Sequence, residues 1–232
     1  MNNTQNVSNA PVDEESPLDP GQMLALLDKQ RRSMEGQMAG FVPHIVLAWG
    51  LAWLIGFGAL WLIDGLRPGF SLPLVVAVPL FIVLVAGAIA ASAVLGIRSG
   101  RGIRGSAQEA FQGIVYGLTW MAGGFAIVGL AQGLLANGMP KDLVNIFYPV
   151  AFVLFTGIMY LLSAAMWRAI PMIYLGVWTI IVGIVAPFFG YPNHYLVLSL
   201  AGGLGLLILA VASYIHLARL RGAVAAGEVR RG

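Results

Sequence analysis

The chain has 232 residues, of which 59% are hydrophobic and only 10% are charged. Ordinary soluble domains hold roughly 45–50% apolar and about 25% charged residues, so this composition excludes a typical water-soluble globular protein. The formal net charge is +3. The sequence has no basic stripe with interleaved aromatic residues, which is the pattern typical of nucleic-acid binding. Cysteine is absent, which excludes disulfides, thiolate metal sites and cysteine nucleophiles.

The first part of the chain, residues 1–18, is polar and is predicted to be a disordered cytoplasmic tail. A helix is predicted over residues 19–39, because Asp19 can cap it and Pro20 suits the first helical position. Its apolar side chains share one face, which is typical of an amphipathic helix at the membrane interface. These are Met23, Leu27, Met34 and Met38. A short soluble helix packed on a partner is the alternative interpretation.

Six apolar runs follow, and each predicts one transmembrane helix. They cover residues 42–63, 72–96, 111–135, 146–166, 169–189 and 195–217. Each run holds roughly the 20 apolar residues that an α-helix needs to cross a hydrocarbon core about 30 Å thick. The runs do not alternate, which favours helices over a β-barrel. We therefore expect an all-α integral membrane protein, with its membrane domain over residues 40–217 and a basic cytoplasmic tail over residues 218–232.

The positive charges fall on alternating sides of the predicted spans. If the N-terminus is cytoplasmic, eleven of the thirteen Lys and Arg residues lie inside, and only Arg67 and Lys141 lie outside. This asymmetry follows the positive-inside rule, so both termini are predicted to be cytoplasmic. The preference for Arg over Lys, together with abundant Ala, Gly, Val and Leu, suggests a bacterial protein of the plasma membrane.

Three arginines, Arg98, Arg101 and Arg104, lie in the loop between the second and third spans. Glycines in this loop have the spacing of a dinucleotide-binding motif, but a membrane helix precedes them instead of the β-strand that the motif requires. We expect the arginines to contact the headgroups of anionic lipids or an acidic surface of a partner protein. Ser106 and Glu109 have the spacing of a capping box and predict the start of the third helix.

The turn between the fourth and fifth spans contains Arg168 and is very short, which predicts a closely packed helical hairpin. An interfacial helix followed by six spans with both termini inside resembles, in topology, the membrane subunits of bacterial ATP-binding-cassette exporters. The resemblance implies that the arginine loop and the Arg168 turn face a separate ATPase. Residues 190–194 depart from that pattern, because they are too few for the re-entrant helices usual between the last two spans of such subunits.

The third span is unusually rich in glycine, with Gln112, Thr119 and Gln132 among the glycines. Small residues let neighbouring helices approach closely, so the main interpretation is tight packing at the centre of the bundle. A deformable helix beside a substrate pathway is the alternative. The glycines are Gly113, Gly117, Gly123, Gly124, Gly129 and Gly133. Gly202 and Gly203 repeat the central pair in the sixth span, either as part of an inverted repeat or by coincidence.

Four aromatic residues recur at every fourth position of the first span and form one stripe: Trp49, Trp53, Phe57 and Trp61. Contact with lipid or packing between helices is the default interpretation. An aromatic wall around a ligand is the alternative. The three histidines lie near the ends of spans, and their spacing does not predict a common metal site.

No acidic or basic residue is convincingly placed in the middle of a span, which argues against a proton relay or a voltage sensor. Motifs for serine, zinc or P-loop catalysis are absent, so we expect neither enzyme activity nor a cofactor. The leading expectation is a transport-related membrane subunit that works with a cytoplasmic protein such as an ATPase, or as a homo-oligomer. The alternative is a non-transporting scaffold or regulatory protein that binds a cytoplasmic partner.

Overall fold

The computed structural model describes residues 19–21, 23–24, 40–99 and 106–229, with side chains as far as residue 219. Six helices in this part of the chain are long and apolar enough to cross a membrane, which confirms the predicted six-span, all-helical architecture. The first five are α1 (Val42–Trp61), α2 (Leu74–Ser99), α3 (Ala107–Ala136), α4 (Lys141–Trp167) and α5 (Ile170–Val185), the last extended by a 3₁₀ turn (Ala186–Phe189). The sixth span consists of α6 (Asn193–Val197), a π-helical segment (Leu198–Leu204) and α7 (Gly205–Val229).

Helix α3 begins at Ala107, ahead of the predicted apolar run at residue 111, because polar side chains cap its first turn. The Ser106 hydroxyl accepts a hydrogen bond from the Glu109 N–H at 3.2 Å, and the Glu109 carboxylate accepts one from the Ser106 N–H at 2.8 Å. This confirms the predicted capping box. Helix α7 likewise continues through Val229, since hydropathy marks only the apolar part of a helix.

Of the predicted interfacial helix over residues 19–39, the structure describes only the first turn. The helix begins at Pro20, and the Met23 N–H donates a hydrogen bond to the Asp19 carbonyl oxygen at 3.0 Å. The rest of that helix, and the predicted tail over residues 1–18, lie outside the described residues. The interfacial location of the helix therefore stays a prediction.

The described residues from 40 onward form one compact unit, in which the helices pack as two groups. The first group holds α1, α2 and the sixth span, and the second holds α3, α4 and α5. The groups join where α5 packs on the π-helical segment, and buried side chains such as Val153, Val182 and Leu198 form the core there. Helices α2 and α3 make at most marginal contact with each other, although they are consecutive in the chain.

Glycines allow the closest contacts within the second group. A Cβ atom added to Gly176 of α5 would lie 2.9 Å from the carbonyl oxygen of Gly157 in α4, so this crossing requires glycine. The turn between the two helices is equally tight, because Arg168 ends α4 in the left-handed conformation with a φ of 51°. Together these features confirm the predicted hairpin of the fourth and fifth spans.

The sixth span approaches α1 through its π-helical segment. A Cβ atom added to Gly203 would lie 2.6 Å from the backbone nitrogen of Leu54, and the Ser199 hydroxyl donates a hydrogen bond to the Leu54 carbonyl oxygen at 2.6 Å. Gly202 faces the Trp53 ring, where an added Cβ would lie at 2.8 Å. π-Helical turns occur mostly as short insertions in α-helices, frequently at functional sites. Here the segment lies directly behind the aromatic stripe of α1.

Candidate functional site

A long groove separates the two helix groups of the bundle. Its bed is formed by facing sides of α1 and α4, and its walls by one face of α2 and the first half of α3. Because α2 and α3 barely touch, the groove is open sideways between them. It consists of two adjoining sections of about 510 and 570 Å³, which share the lining residues Trp49, Ile89, Trp120 and Thr156.

The groove runs along almost the whole bundle. On α1 its lining extends from Val42 to Leu60, which at 1.5 Å per helical residue corresponds to about 27 Å. This length is close to the ~30 Å thickness of the hydrocarbon core of a bilayer. The lining is almost entirely apolar and rich in aromatic rings, and each section has a volume typical of ligand pockets. The shape suits an extended apolar molecule better than a compact one.

Most of the aromatic stripe of α1 faces this groove. Trp53 and Phe57 are buried, with 6% and 4% of their surfaces exposed, and with Trp49 they line its bed. Trp61, the last member of the stripe, instead donates a hydrogen bond from Nε1 to the side-chain oxygen of Asn193 at 3.3 Å. The stripe therefore packs between helices, which the default interpretation included, and Trp49, Trp53 and Phe57 also line the groove.

On α2, the side chains that face the groove recur every three or four residues. They are Phe81, Val85, Ile89 and Ser92, which fall on one face of the helix. The Nε1 of Trp49 donates a hydrogen bond to the Ser92 hydroxyl at 3.0 Å, which ties α1 to α2. The Ser92 hydroxyl is thus used to join α1 and α2, so it adds little polar surface to the lining of the groove.

Helix α3 closes the groove through two aromatic residues, Tyr116 and Trp120, which lie one turn apart. The Tyr116 hydroxyl lies 2.6 Å from the Ser163 hydroxyl of α4, which in turn donates a hydrogen bond to the Met159 carbonyl oxygen at 2.9 Å. Tyr160 of α4 lines the same section, and its hydroxyl has no hydrogen-bond partner among the described residues.

Two of the predicted contact residues, Arg98 and Arg168, lie at one end of the groove. Arg98 is in the last turn of α2, and Arg168 follows Trp167, which lines the groove. Both arginine side chains are exposed, and neither forms an ion pair within the described part of the chain. Arg101 and Arg104, which were predicted to act with Arg98, lie outside the described residues.

The same end of the bundle also holds the start of α1 and the later part of α7. The rings of His44 and Tyr214 lie 5.1 Å apart there, and Arg219 follows Tyr214 by little more than one turn. Arg219 is also exposed. We call this end, which carries Arg98, Arg168 and Arg219, the arginine end.

The opposite end of the bundle, which we call the Asp64 end, is joined by hydrogen bonds. The Tyr191 hydroxyl donates to the Asp64 carboxylate, and Arg67 forms an ion pair with the same carboxylate at 2.9 Å. Burial and the hydrogen bond to Asp64 raise the pKa of Tyr191 well above its ordinary value, so the phenol stays protonated at neutral pH. The contact ties the end of α1 to the start of the sixth span.

His194 continues this network toward α4. It is fully buried, and its ring nitrogens lie 3.1 Å from the carbonyl oxygen of Asn145 and 3.3 Å from that of Gly190. The Tyr195 hydroxyl also donates to the Asn145 carbonyl oxygen, at 3.3 Å. His194 thus joins helices. Among the described residues, no group of three His, Cys, Asp or Glu side chains is placed to hold a metal ion.

The glycine-rich third span does not lie at the centre of the bundle. At four of its glycines, an added Cβ would meet no heavy atom from elsewhere in the described structure within 4 Å: Gly113, Gly117, Gly129 and Gly133. Gly123 packs against the Phe155 ring of α4, and an added Cβ at Gly124 would lie 3.9 Å from Phe152. The interpretation of central packing is therefore wrong within one chain, because α3 lies at the edge and packs mainly on α4.

Sequence reasoning did not single out several residues that line the groove. A signal was present for Tyr116 and Trp120, because their spacing repeats the four-residue aromatic spacing of α1. Ser92 and Tyr160 had no such signal, since single hydroxyl groups are common in membrane helices and bond within their own helix or across to a neighbour. Their place in the groove follows from the packing of helices that are distant in the chain.

Comparisons with family models, with curated proteins and with solved structures find no match to this chain. A functional proposal therefore depends on the geometry of the groove and on the charges at its two ends.

Proposed function

We propose that this multi-pass membrane protein takes up an acyl chain, or another elongated apolar molecule, sideways from the bilayer into its groove. Such a step belongs to a transport-related role, in which the protein collects an apolar molecule within the membrane. The observation that carries the proposal is the aromatic groove itself, which extends along the bundle and opens between α2 and α3.

The surroundings of the groove support an apolar occupant. Six apolar helices are consistent with a bilayer location, where the medium beside the opening consists of acyl chains. Aromatic side chains offer large flat surfaces, and many weak dispersion contacts along an extended chain add up to substantial binding. A compact polar solute would find few hydrogen-bonding groups in the same lining.

The arrangement of α3 supports entry from the side. This helix packs mainly on α4, and most of its surface is exposed. A wall held by one neighbour can move away from α2 without disturbing the core where α5 meets the sixth span. Entry would therefore cost few contacts in comparison with a movement of α1.

The experiment is photo-cross-linking in lipid vesicles with phosphatidylcholine that carries a diazirine in one acyl chain. We expect cross-links to concentrate on groove-lining residues such as Trp53 and Phe152, with fewer on outward faces. Thr156→Trp adds bulk where the two sections meet and should lower the yield in the groove to that of the outward faces. Leu118→Trp is the matched control, because Leu118 lies on the outward side of α3 and is 58% exposed.

Two results would overturn this proposal. One is an even distribution of cross-links over the outward surface without an excess in the groove. The other is an unchanged yield in the groove of Thr156→Trp. If Thr156→Trp fails to fold, Val85→Trp provides the same block from the α2 wall of the groove.

A second candidate is a scaffold whose arginine end binds a cytoplasmic partner such as an ATPase subunit. The side chains of Arg98 and Arg168 at one end of the bundle favour it, because they are exposed and form no ion pair with the residues that the structure describes. The test is mass spectrometry of proteins that co-purify with the tagged chain in mild detergent. A stoichiometric partner that is lost in Arg98→Ala would support docking, and recovery of the chain alone would remove this candidate.

A further inference from the structure

The lining of the groove limits where a charged group of its ligand can lie. Nearly all the surface inside it is apolar, and several of its polar groups are used in bonds between or within helices, as at Ser92 and Ser163. A charge in such surroundings would lose its hydration without finding a partner, which is strongly unfavourable. An amphipathic ligand must therefore keep its headgroup at one end of the groove.

The two ends of the bundle differ in charge. At the Asp64 end, the described charged side chains are the cations Arg67 and Lys141 and the anions Asp64 and Asp142, which balance. At the arginine end, the described charged side chains are Arg98, Arg168, Arg219 and one anion, Glu109, whose carboxylate is already bound to the Ser106 N–H. The arginine end is therefore positive and complements an anionic headgroup.

The backbone at Arg168 adds a second observation. This residue has a φ of 51° and a ψ of 35°, a left-handed conformation that is unfavourable for non-glycine residues and is usually occupied by glycine. Arginine at such a position indicates that its side chain has a role beyond ending the helix. Its neighbours Trp167 and Ala169 both line the groove, so Arg168 lies at the mouth of the groove.

From this geometry we infer that the ligand of the groove is an anionic phospholipid, bound with its phosphate at Arg98 and Arg168 and one acyl chain along the aromatic bed. The inference rests on the proposed function and names its ligand class. Arginine suits this task because its guanidinium can form two parallel hydrogen bonds to phosphate oxygens. If the arginine end is cytoplasmic, as the positive-inside rule predicts, the lipid comes from the inner leaflet.

The test compares two photoactivatable lipids with the same diazirine-bearing chain, phosphatidylglycerol and phosphatidylcholine, each as a minor component of phosphatidylcholine vesicles. We expect phosphatidylglycerol to cross-link to the groove more strongly than phosphatidylcholine. The ratio of groove labelling by phosphatidylglycerol to that by phosphatidylcholine should fall about fivefold in Arg98→Gln, and about fivefold in Arg168→Gln. Arg219→Gln is the matched control, because it removes the same charge from the same end at a residue 13 positions beyond Leu206, the last residue of α7 that lines the groove.

Each outcome decides between the two proposals. The inference is overturned if both lipids label the groove equally. It is also overturned if the preference for phosphatidylglycerol persists in the variant that combines Arg98→Gln and Arg168→Gln. In both cases the proposed binding of an apolar chain in the groove still stands. No groove labelling by either lipid overturns the proposed function as well. Arg98→Lys and Arg168→Lys retain the charge, so they should keep most of the preference and show that a loss in the Gln variants does not come from altered folding or membrane topology.

Discussion

Helices α1 and α3 are both apolar, and both carry aromatic residues four positions apart. However, α1 is surrounded by other helices, whereas α3 lies at the edge of the bundle. Helix α1 has neighbours on several sides, and its Trp53 and Phe57 are buried. Helix α3 packs mainly on α4, and Phe125 at its middle is 73% exposed. The difference shows that aromatic and glycine patterns report what a helix can pack against, whereas its position depends on which surfaces the rest of the chain supplies.

The contrast also explains how the groove exists. Helix α1 is held in place by the sixth span, so its aromatic rings form a fixed bed. Helix α3 is the less restrained wall, tied to α4 by the hydrogen bonds of Tyr116 with Ser163 and of Gln132 with Tyr148. A rigid bed beside a weakly held wall is the arrangement on which the proposed entry of a ligand from the bilayer depends.

The largest difference in stability is expected when the same glycine-to-valine substitution is made in the sixth span, where it packs on α1, and in α3. Gly203→Val places side-chain atoms against the backbone of Leu54, which cannot move aside easily, and we expect it to lower the free energy of unfolding by about 3 kcal/mol or more. Gly129→Val is the control, because an added Cβ there meets open space within the described structure, and it should change stability by less than about 0.5 kcal/mol. Denaturant unfolding in detergent micelles measures both. Equal effects would show that α3 is packed against something in the protein as purified.

An intermediate effect is expected at the polar end of α1. Tyr191→Phe removes the hydrogen bond to the Asp64 carboxylate and should cost roughly 1.5–3 kcal/mol, the range for bonds to charged groups. The pKa of Tyr191 is raised in the folded state, so this contribution is fully present below about pH 10 and is lost as pH rises further. Thermal unfolding from pH 7 to pH 11 tests both points. Tyr174→Phe, at a tyrosine that is 72% exposed, should leave stability unchanged.

The smallest effect on stability is expected at Tyr116, which with Gln132 forms the hydrogen bonds between α3 and α4 among the described residues. Tyr116→Phe breaks the hydrogen bond to Ser163, and such bonds between membrane helices average about 0.6 kcal/mol. Because α3 has few other contacts, amide hydrogen exchange in α3 should become faster while exchange in α1 stays the same. Thr119→Val is the control, since the Thr119 hydroxyl bonds to the Val115 carbonyl oxygen of its own helix. Faster exchange in both helices would contradict the picture of a separately held wall.

Part of the candidate site could be predicted from the sequence. The stripe on α1 and the positions of Arg98 and Arg168 near span ends follow from local spacing and from charge. The division of the bundle into groups could not, because it combines the first two spans with the last one. An inverted repeat that includes Gly202 and Gly203 would instead divide the bundle into its first three and its last three spans. Which glycine makes a close contact also depended on partners far along the chain, as Gly203 and Leu54 show.

The sequence by itself determined that the protein has six apolar helices and where its charges interrupt them. These are local properties, because each helix must satisfy its own backbone hydrogen bonds and must be long enough to cross the hydrocarbon core. The tertiary structure alone decided that α3 lies at the edge, that α2 and α3 stand apart, and that aromatic rings of α1 line a groove between them. Lipid is as apolar as a helix surface, so hydropathy cannot distinguish a helix face that contacts lipid from one that contacts protein. Shape and close packing between distant segments make that choice.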